Sequence, residues 1–166
     1  MESRYDVGSG GLLAGCGYSG ISGDAMALDS GIGLQLAIAQ IRFAREYTLS
    51  LLDTIPEERW FEQPVGAASH VAWQVGHLAM AQYGLCLFRI RGRAEADLTL
   101  MSSAFRKKFS RGTTPDPQPA ANPAVAEIRE VFERVFEQSM LELPGYSEVV
   151  LSEAVEPPWA VEATKL

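Results

Sequence analysis

The feature that most constrains this chain is a segment at residues 70–91 that is apolar around nearly its whole helical circumference. Its large apolar residues are Val71, Trp73, Val75, Leu78, Met80, Leu85, Leu87 and Phe88. Ser69 is predicted to cap this helix, and Gly92 is predicted to end it. Because a helix that is apolar on all sides needs neighbours on all sides, the segment predicts a helical bundle.

Two amphipathic segments supply neighbours for this helix. Ser30 is predicted to cap a first helix that runs to about Asp53. Asn122-Pro123 predicts the start of a third helix, which ends at Pro144-Gly145. The apolar faces have near-heptad spacing and consist of Leu34, Ile38, Ile41 and Leu52 in the first helix and Val125, Ile128, Phe132 and Val135 in the third.

The remaining segments are predicted to be irregular. Residues 93–121 contain three prolines and form a long connection that cannot be one continuous helix. Residues 146–166, with Pro157-Pro158, favour a loop or a short strand. Residues 1–33 hold 9 of the 15 glycines, so residues 1–28 are interpreted as a disordered tail or as translated upstream sequence. The helical domain is then residues 29–166.

Two patterns in the glycine-rich segment do not fit the functions that they suggest. Residues 15–20 spell G-x-G-x-x-G, but glycines lie on both sides and Gln40 stands where a dinucleotide site needs an acidic residue. Residues 13–16 resemble a lipoprotein cleavage box, but no basic and apolar signal precedes them. The sequence therefore argues against both a nucleotide site and a lipid anchor here.

Composition excludes several classes of function. The net charge is −7, with 14 basic and 21 acidic residues, which disfavours a nucleic-acid partner. No apolar run approaches the ~20 residues that span a bilayer, so no membrane association is expected. The two cysteines, Cys16 and Cys86, cannot form a disulfide framework and fit a reducing, cytoplasmic location.

The only two histidines, His70 and His77, lie on the apolar helix. Seven residues separate them, or about 10 Å along the axis, so one zinc ion cannot bind both. His70 is predicted to lie near solvent in the first turn. His77 is either a hydrogen-bonded core residue or a ligand, and Trp73 is placed to pack beside it. Gly76 and Gly84 in the helix interior suggest close approach by another helix or a ligand.

Two other features have an ordinary and a functional interpretation. Residues 89–111 hold seven basic and two acidic residues. They could contact a phosphate or an acidic thiol cofactor, although a solvated loop that balances the acidic third helix is the simpler interpretation. Cys86 lies on the apolar helix and is expected to be buried and unreactive.

Residues 72–79, Ala-Trp-Gln-Val-Gly-His-Leu-Ala, resemble the W-x-x-x-H-L signature of the DinB/YfiT-like superfamily. The order of helices and the Leu-Leu-Asp-x-Ile-Pro-Glu-Glu turn at residues 51–58 resemble that family too. The resemblance implies an all-α, up-down-type four-helix bundle, usually dimeric, with a divalent metal such as zinc or nickel bound by three histidines. His77 would be the first ligand, and an H-x-x-x-H pair on a fourth helix would supply the others. Characterised relatives include transferases that use small-molecule thiols, among them bacillithiol and mycothiol, and a maleylpyruvate isomerase.

This sequence departs from the family pattern because no histidine follows His77 and the sequence reaches Leu166 about where the fourth helix would begin. We therefore expect a DinB-like bundle without its fourth helix, without a tightly bound metal and inactive as a thiol transferase or hydrolase. The alternative is a non-catalytic interaction module or a truncated fragment that forms homo-oligomers, such as dimers, through an open apolar groove. Residues for catalysis or cofactor binding other than His77 are not identified.

Overall fold

The computed structural model describes residues 24–154, with side chains from residue 31 onward. Within these residues every regular element is helical, which confirms the all-α prediction. The α-helices are α1 (Asp24–Leu52), α2 (Val71–Gln82), α3 (Arg89–Arg91), α4 (Asp97–Leu100), α5 (Ser103–Lys108), α6 (Val125–Glu142) and α7 (Glu148–Ser152). A π-helical segment (Tyr83–Phe88) joins α2 to α3, and 3-10 turns lie at Glu57–Arg59, Pro119–Ala121 and Leu143–Gly145. Over residues 24–154, no helix has both the length and the apolar composition needed to cross a bilayer.

The main core forms where α2 packs against α6. Helix α2 contributes Ala72, Val75 and Ala79, and α6 contributes Ile128, Val131, Phe132 and Val135. Trp60 closes this core from the loop after α1, and Phe105 and Phe109 close it from α5 and the residue that follows it. The core is thus built mainly by α2, α6 and the connection that was predicted to be irregular, and α1 contributes Leu52 at its end.

Helix α1 lies on the outside of this arrangement and packs along one face only. Leu34, Ile38 and Ile41 are half-buried against a second, smaller cluster of Ile90, Leu143 and Leu151. Farther along, the buried Arg45 donates to the main-chain carbonyl of Phe132 at 3.1 Å and pairs with Glu133 on α6. The predicted inward face of α1 is confirmed, but the helix covers the core only in part.

Several predicted boundaries were wrong. Helix α1 begins at Asp24, so Ser30 lies inside it rather than at its cap, and residues 24–28 are helical rather than part of a tail. The third long helix has Ala124 as its N-cap, because the Asn122 side chain instead donates to the Asp116 and Gln118 carbonyls. Helix α7 replaces the predicted loop or strand after residue 146. Residues 1–23 and 155–166 lie outside the described part of the chain, as do the interpretations that concern them.

The predicted helix at 70–91 is continuous but changes type at Tyr83, where π-helical hydrogen bonds replace the α-helical pattern until Phe88. Tyr83 and Leu87, which are four residues apart in this segment, both remain buried. The helix ends where predicted, at Gly92, whose φ of +80° is a conformation that glycine adopts readily.

A partly buried ion-pair network fixes the end of this helix to α4 and α6. Arg91 donates to Asp97 at 2.7 Å and to Glu142 at 2.6 Å. The Tyr83 hydroxyl donates to Asp97 at 2.9 Å, and the Tyr146 hydroxyl donates to Glu142 at 2.8 Å. Burial alone raises the pKa of Asp97, but hydrogen bonds, chiefly from Arg91, outweigh it and hold that pKa at about 2. The network therefore contains two carboxylates and one guanidinium that satisfy one another.

Candidate functional site

His77 lies half-buried on α2, and two contacts fix its ring. Its Nδ1 lies 2.8 Å from the main-chain carbonyl oxygen of Phe109. Because a carbonyl only accepts hydrogen bonds, Nδ1 carries a proton, and in the neutral ring the lone pair is on Nε2. The ring also stacks on Trp73, with centroids 4.8 Å apart and planes 7° from parallel, which confirms the predicted packing.

The connection after α5 provides the rest of the environment of His77. The Trp73 indole N–H donates to the hydroxyl of Thr113 at 3.2 Å, so the aromatic ring beside His77 is itself held in place. Phe109 packs its ring directly on Gly76, where a Cβ added to the glycine would lie only 2.5–2.7 Å from the ring carbons. The close approach predicted at Gly76 is therefore made by Phe109. At Gly84 the same prediction was wrong, because a Cβ there would meet no atom within 4 Å.

His70 is placed differently from its predicted position near solvent. It is 1% exposed and acts as the N-cap of α2, where its Nδ1 accepts from the main-chain N–H of Trp73 at 3.2 Å. Its Nε2 must then carry the proton, and it donates to the main-chain carbonyl of Asp116 at 3.0 Å. Burial is the main cause that lowers the pKa of His70. With both ring nitrogens occupied, His70 holds the fold together and is not available as a ligand.

The described residues do not fit the three-histidine metal site that the resemblance implies. Within residues 24–154, no three His, Cys, Asp or Glu side chains come together in a way that could hold an ion. His77 stands alone as a candidate ligand there, and a stable zinc site needs at least three protein donors. We therefore derive no chemical step through a metal for these residues.

Cys86 and the basic segment also have structural explanations. Cys86 is half-buried, and burial raises the pKa of its thiol to about 11, so the reactive thiolate is scarce at neutral pH. In the basic segment, Arg91 is engaged by Asp97 and Glu142, and the Lys108 ammonium donates to the main-chain carbonyl of Ala121 at 2.8 Å. Part of the predicted positive charge is thus used inside the fold.

The outward face of α1 carries a second row of apolar residues, which the predicted inward face does not include. We call Ile32, Leu36, Phe43, Tyr47 and Leu51 the α1 stripe; their side chains are 48–71% exposed. The spacing of four, seven, four and four residues places all five on one face of a helix. This spacing was readable in the sequence, but the inward row with similar spacing concealed it.

A groove of about 610 Å³ lies between α1, α4 and α6. Its lining is mixed and includes Arg42, Arg134 and Glu137 beside Phe136, Met140 and Leu141. His77 does not line it. The groove and the histidine are separate features.

Comparison with known proteins identifies the family of this helical domain. The family model described as the DinB superfamily matches residues 40–164, which is most of the chain. No curated protein and no solved structure gives a significant match. The matched region contains α2 with Trp73 and His77, the residues on which the resemblance was based. The chain belongs to the DinB superfamily.

Proposed function

We propose that this DinB-superfamily domain acts by associating with another helical surface and that residues 24–154 do not by themselves carry out metal-dependent thiol transfer. The α1 stripe is the observation that carries the proposal. Full burial of one large apolar side chain stabilises a protein by roughly 1.5–3 kcal/mol. The side chains of the α1 stripe are about half exposed or more, so they lack much of this stabilisation. Contiguous apolar surface of this kind is typical of interaction sites rather than of an isolated monomer.

The surroundings of His77 support the second half of the proposal. A catalytic zinc or nickel site needs three protein ligands and an open position for water or thiol. Residues 24–154 supply one suitable imidazole and no neighbouring carboxylate or thiolate group to complete it. One imidazole alone binds a divalent ion too weakly to lower the pKa of a bound thiol.

Metal-dependent thiol transfer is the second candidate function, and the orientation of His77 favours it. A metal-bound histidine usually donates its other N–H to a carbonyl or carboxylate, as His77 Nδ1 does to Phe109. Its Nε2 makes no hydrogen bond with another residue among 24–154. For this candidate, at least two further donors must come from outside those residues.

Metal content and activity decide between the two candidates. The chain is dialysed against a chelator, supplied with Zn²⁺ or Ni²⁺, and analysed for retained metal and for conjugation of a small-molecule thiol to an electrophile. We expect well under one equivalent of metal and conjugation no faster than that of the free thiol. One equivalent of metal together with activity that His77→Ala abolishes would establish the enzyme instead.

Association through the α1 stripe is tested with a dye that reports exposed apolar surface. The double variant Phe43→Ser/Tyr47→Ser removes the two largest side chains of the stripe. We expect it either to bind much less dye per chain or to lose self-association, according to whether the stripe is open or covered in the purified protein. A wild-type chain that neither binds dye nor associates would contradict the proposal.

A further inference from the structure

We infer that His70 is a proton-sensitive switch: its neutral ring holds residues 110–116 against α2, and its protonated ring releases them. We call residues 110–116 the strap. The inference concerns the strap alone and does not depend on the association function proposed above. It rests on how the strap is attached to α2, on the hydrogen bonds and burial of the His70 ring, and on the charges around that ring.

The strap is attached to α2 by few contacts. No residue of the strap belongs to either apolar cluster of the fold. Within residues 31–154, two hydrogen bonds hold it on α2. The Trp73 indole N–H donates to the Thr113 hydroxyl at 3.2 Å, and His70 Nε2 donates to the Asp116 carbonyl at 3.0 Å. Phe109, just before the strap, is by contrast fully buried. A segment with so few apolar contacts opens at a lower free energy than the core does.

His70 can make both of its hydrogen bonds only as a neutral ring. While Nε2 donates to Asp116, Nδ1 accepts from the main-chain N–H of Trp73 at 3.2 Å. A second proton on the ring would turn Nδ1 into a donor, which then faces the Trp73 N–H. Protonation therefore removes the cap of α2 and places a positive charge at the helix N-terminus, where the helix dipole disfavours it.

The site of the ring is also unfavourable for a charge because it is dry. His70 is 1% exposed, and the centroid of its ring lies 5.5 Å from that of Phe61. Burial is the largest cause that lowers the pKa of His70, and the main-chain carbonyls of Asp116 and Trp60 offset only part of it. A protonated ring gains hydration by leaving this site, and leaving it breaks the bond to the Asp116 carbonyl.

Two charged side chains act on the ring. The Asp116 carboxylate, on the strap, favours the protonated form, and the Lys108 ammonium, on α5, disfavours it. From the loop after α1, Trp60 and Phe61 face the ring and carry no charge. Histidine is the side chain whose charge ordinarily changes between pH 7.5 and 5, so a change over this range acts on the ring rather than on its two charged neighbours.

Release of the strap changes the surroundings of the second histidine. Once the Asp116 carbonyl is free, the Thr113 hydroxyl is the remaining attachment, and it leaves Trp73 as the strap moves away. The Trp73 ring stacks on His77, whose own hydrogen bond goes to the buried Phe109 before the strap. A proton on His70 therefore loosens the aromatic ring beside His77 while the His77 hydrogen bond stays in place.

Hydrogen exchange of the two N–H groups of Trp73, followed by NMR on the full chain at pH 7.5 and pH 5, tests the switch. The ratio of protonated to neutral ring in the released state rises about tenfold per pH unit. After correction for the effect of pH on exchange in an unstructured peptide, we expect the protection of both groups to fall at least threefold at pH 5. The main-chain N–H of Val135, buried on α6, should remain at least tenfold better protected than either at both pH values.

Two variants identify the histidine responsible. His70→Asn can still cap α2 but does not titrate, so its Trp73 protection should not change between pH 7.5 and 5. His77→Gln is the matched control, because it removes the other histidine of the chain and should keep the wild-type pH dependence. A pH dependence that His77→Gln removes and His70→Asn retains would overturn the inference.

The wild-type chain provides a test that needs no substitution. The nitrogen chemical shifts of the His70 ring report when Nδ1 takes up its proton, and the loss of Trp73 protection should follow that titration. Protection that stays constant through the titration would show that the strap remains attached to a protonated ring. Equal protection of Trp73 and Val135 would show that the strap opens only when the whole domain unfolds. Either result would overturn the inference.

Discussion

Gly76→Ala tests the contact that brings the connection after α5 onto the histidine-bearing helix. The new methyl group would lie 2.5–2.7 Å from three carbons of the Phe109 ring, inside any permitted contact. The ring cannot easily move away, because it is fully buried and packs against Phe105 with centroids 4.6 Å apart. The substitution therefore forces either the ring or the main chain of Phe109 to shift.

Two opposing effects set the size of the change. Overpacking a filled core by one methyl group typically costs about 1–3 kcal/mol. Alanine is favoured over glycine in a helix interior by up to ~1 kcal/mol, which offsets part of that cost. We expect the free energy of unfolding to fall by about 1–2 kcal/mol as the balance of these two effects. We also expect the hydrogen bond from His77 Nδ1 to the Phe109 carbonyl to lengthen.

Urea unfolding monitored by circular dichroism measures the stability, and the Nδ1 proton resonance of His77 reports the hydrogen bond. Gly84→Ala is the matched control in the same continuous helix, because a Cβ there meets no atom within 4 Å. The control should be stabilised by about 0.5–1 kcal/mol, chiefly through reduced freedom of the unfolded chain. If Gly76→Ala were as stable as Gly84→Ala, the close packing of Phe109 on Gly76 would be wrong.

Two further predictions concern pH. Burial lowers the pKa of His70, so on acidification the unfolded chain takes up the proton before the folded chain does. The free energy of unfolding should therefore fall as the pH drops below about 6.5 and level off below the folded pKa. His70→Asn, which can still cap α2, should lose this part of the slope in urea titrations between pH 7 and 5. Asp97 has a folded pKa of about 2 against 3.8, so it should contribute about 2 kcal/mol that is complete above pH 4 and lost on acidification toward pH 2. Asp97→Asn should be less stable at pH 7 by a similar amount and flatter over that acid range, and an unchanged acid slope would contradict this role.

The sequence predicted the long helices because their apolar residues repeat at helical spacing. It placed the end at Gly92 correctly, since a positive φ and a glycine coincide there. It misplaced the starts of the helices, because several polar groups near a start can act as the N-cap and the sequence does not show which one does. Ser69 and His70 can both cap α2, and the structure uses His70 because its other ring nitrogen can reach Asp116.

The surroundings of His77 were only partly predictable. The Trp73 contact followed from one helical turn of spacing, and Gly76 correctly indicated a close neighbour. That the neighbour is Phe109 depends on the path of residues 93–121, which no periodic pattern describes. The π-helical segment was equally hidden, because the apolar spacing of residues 83–88 also fits an α-helix.

The connection after α5 runs antiparallel to α2 and is attached to it at three successive helical turns. Phe109 meets His77, Thr113 meets Trp73, and Asp116 meets His70. Loops on protein surfaces ordinarily accept insertions and deletions, but one inserted residue here would move each later attachment by more than about 3 Å. Length variation among relatives should therefore be confined to the chain before Phe109 or after Asp116. An insertion between these residues would also move the Thr113 hydroxyl away from the indole of Trp73, the ring that stacks on His77.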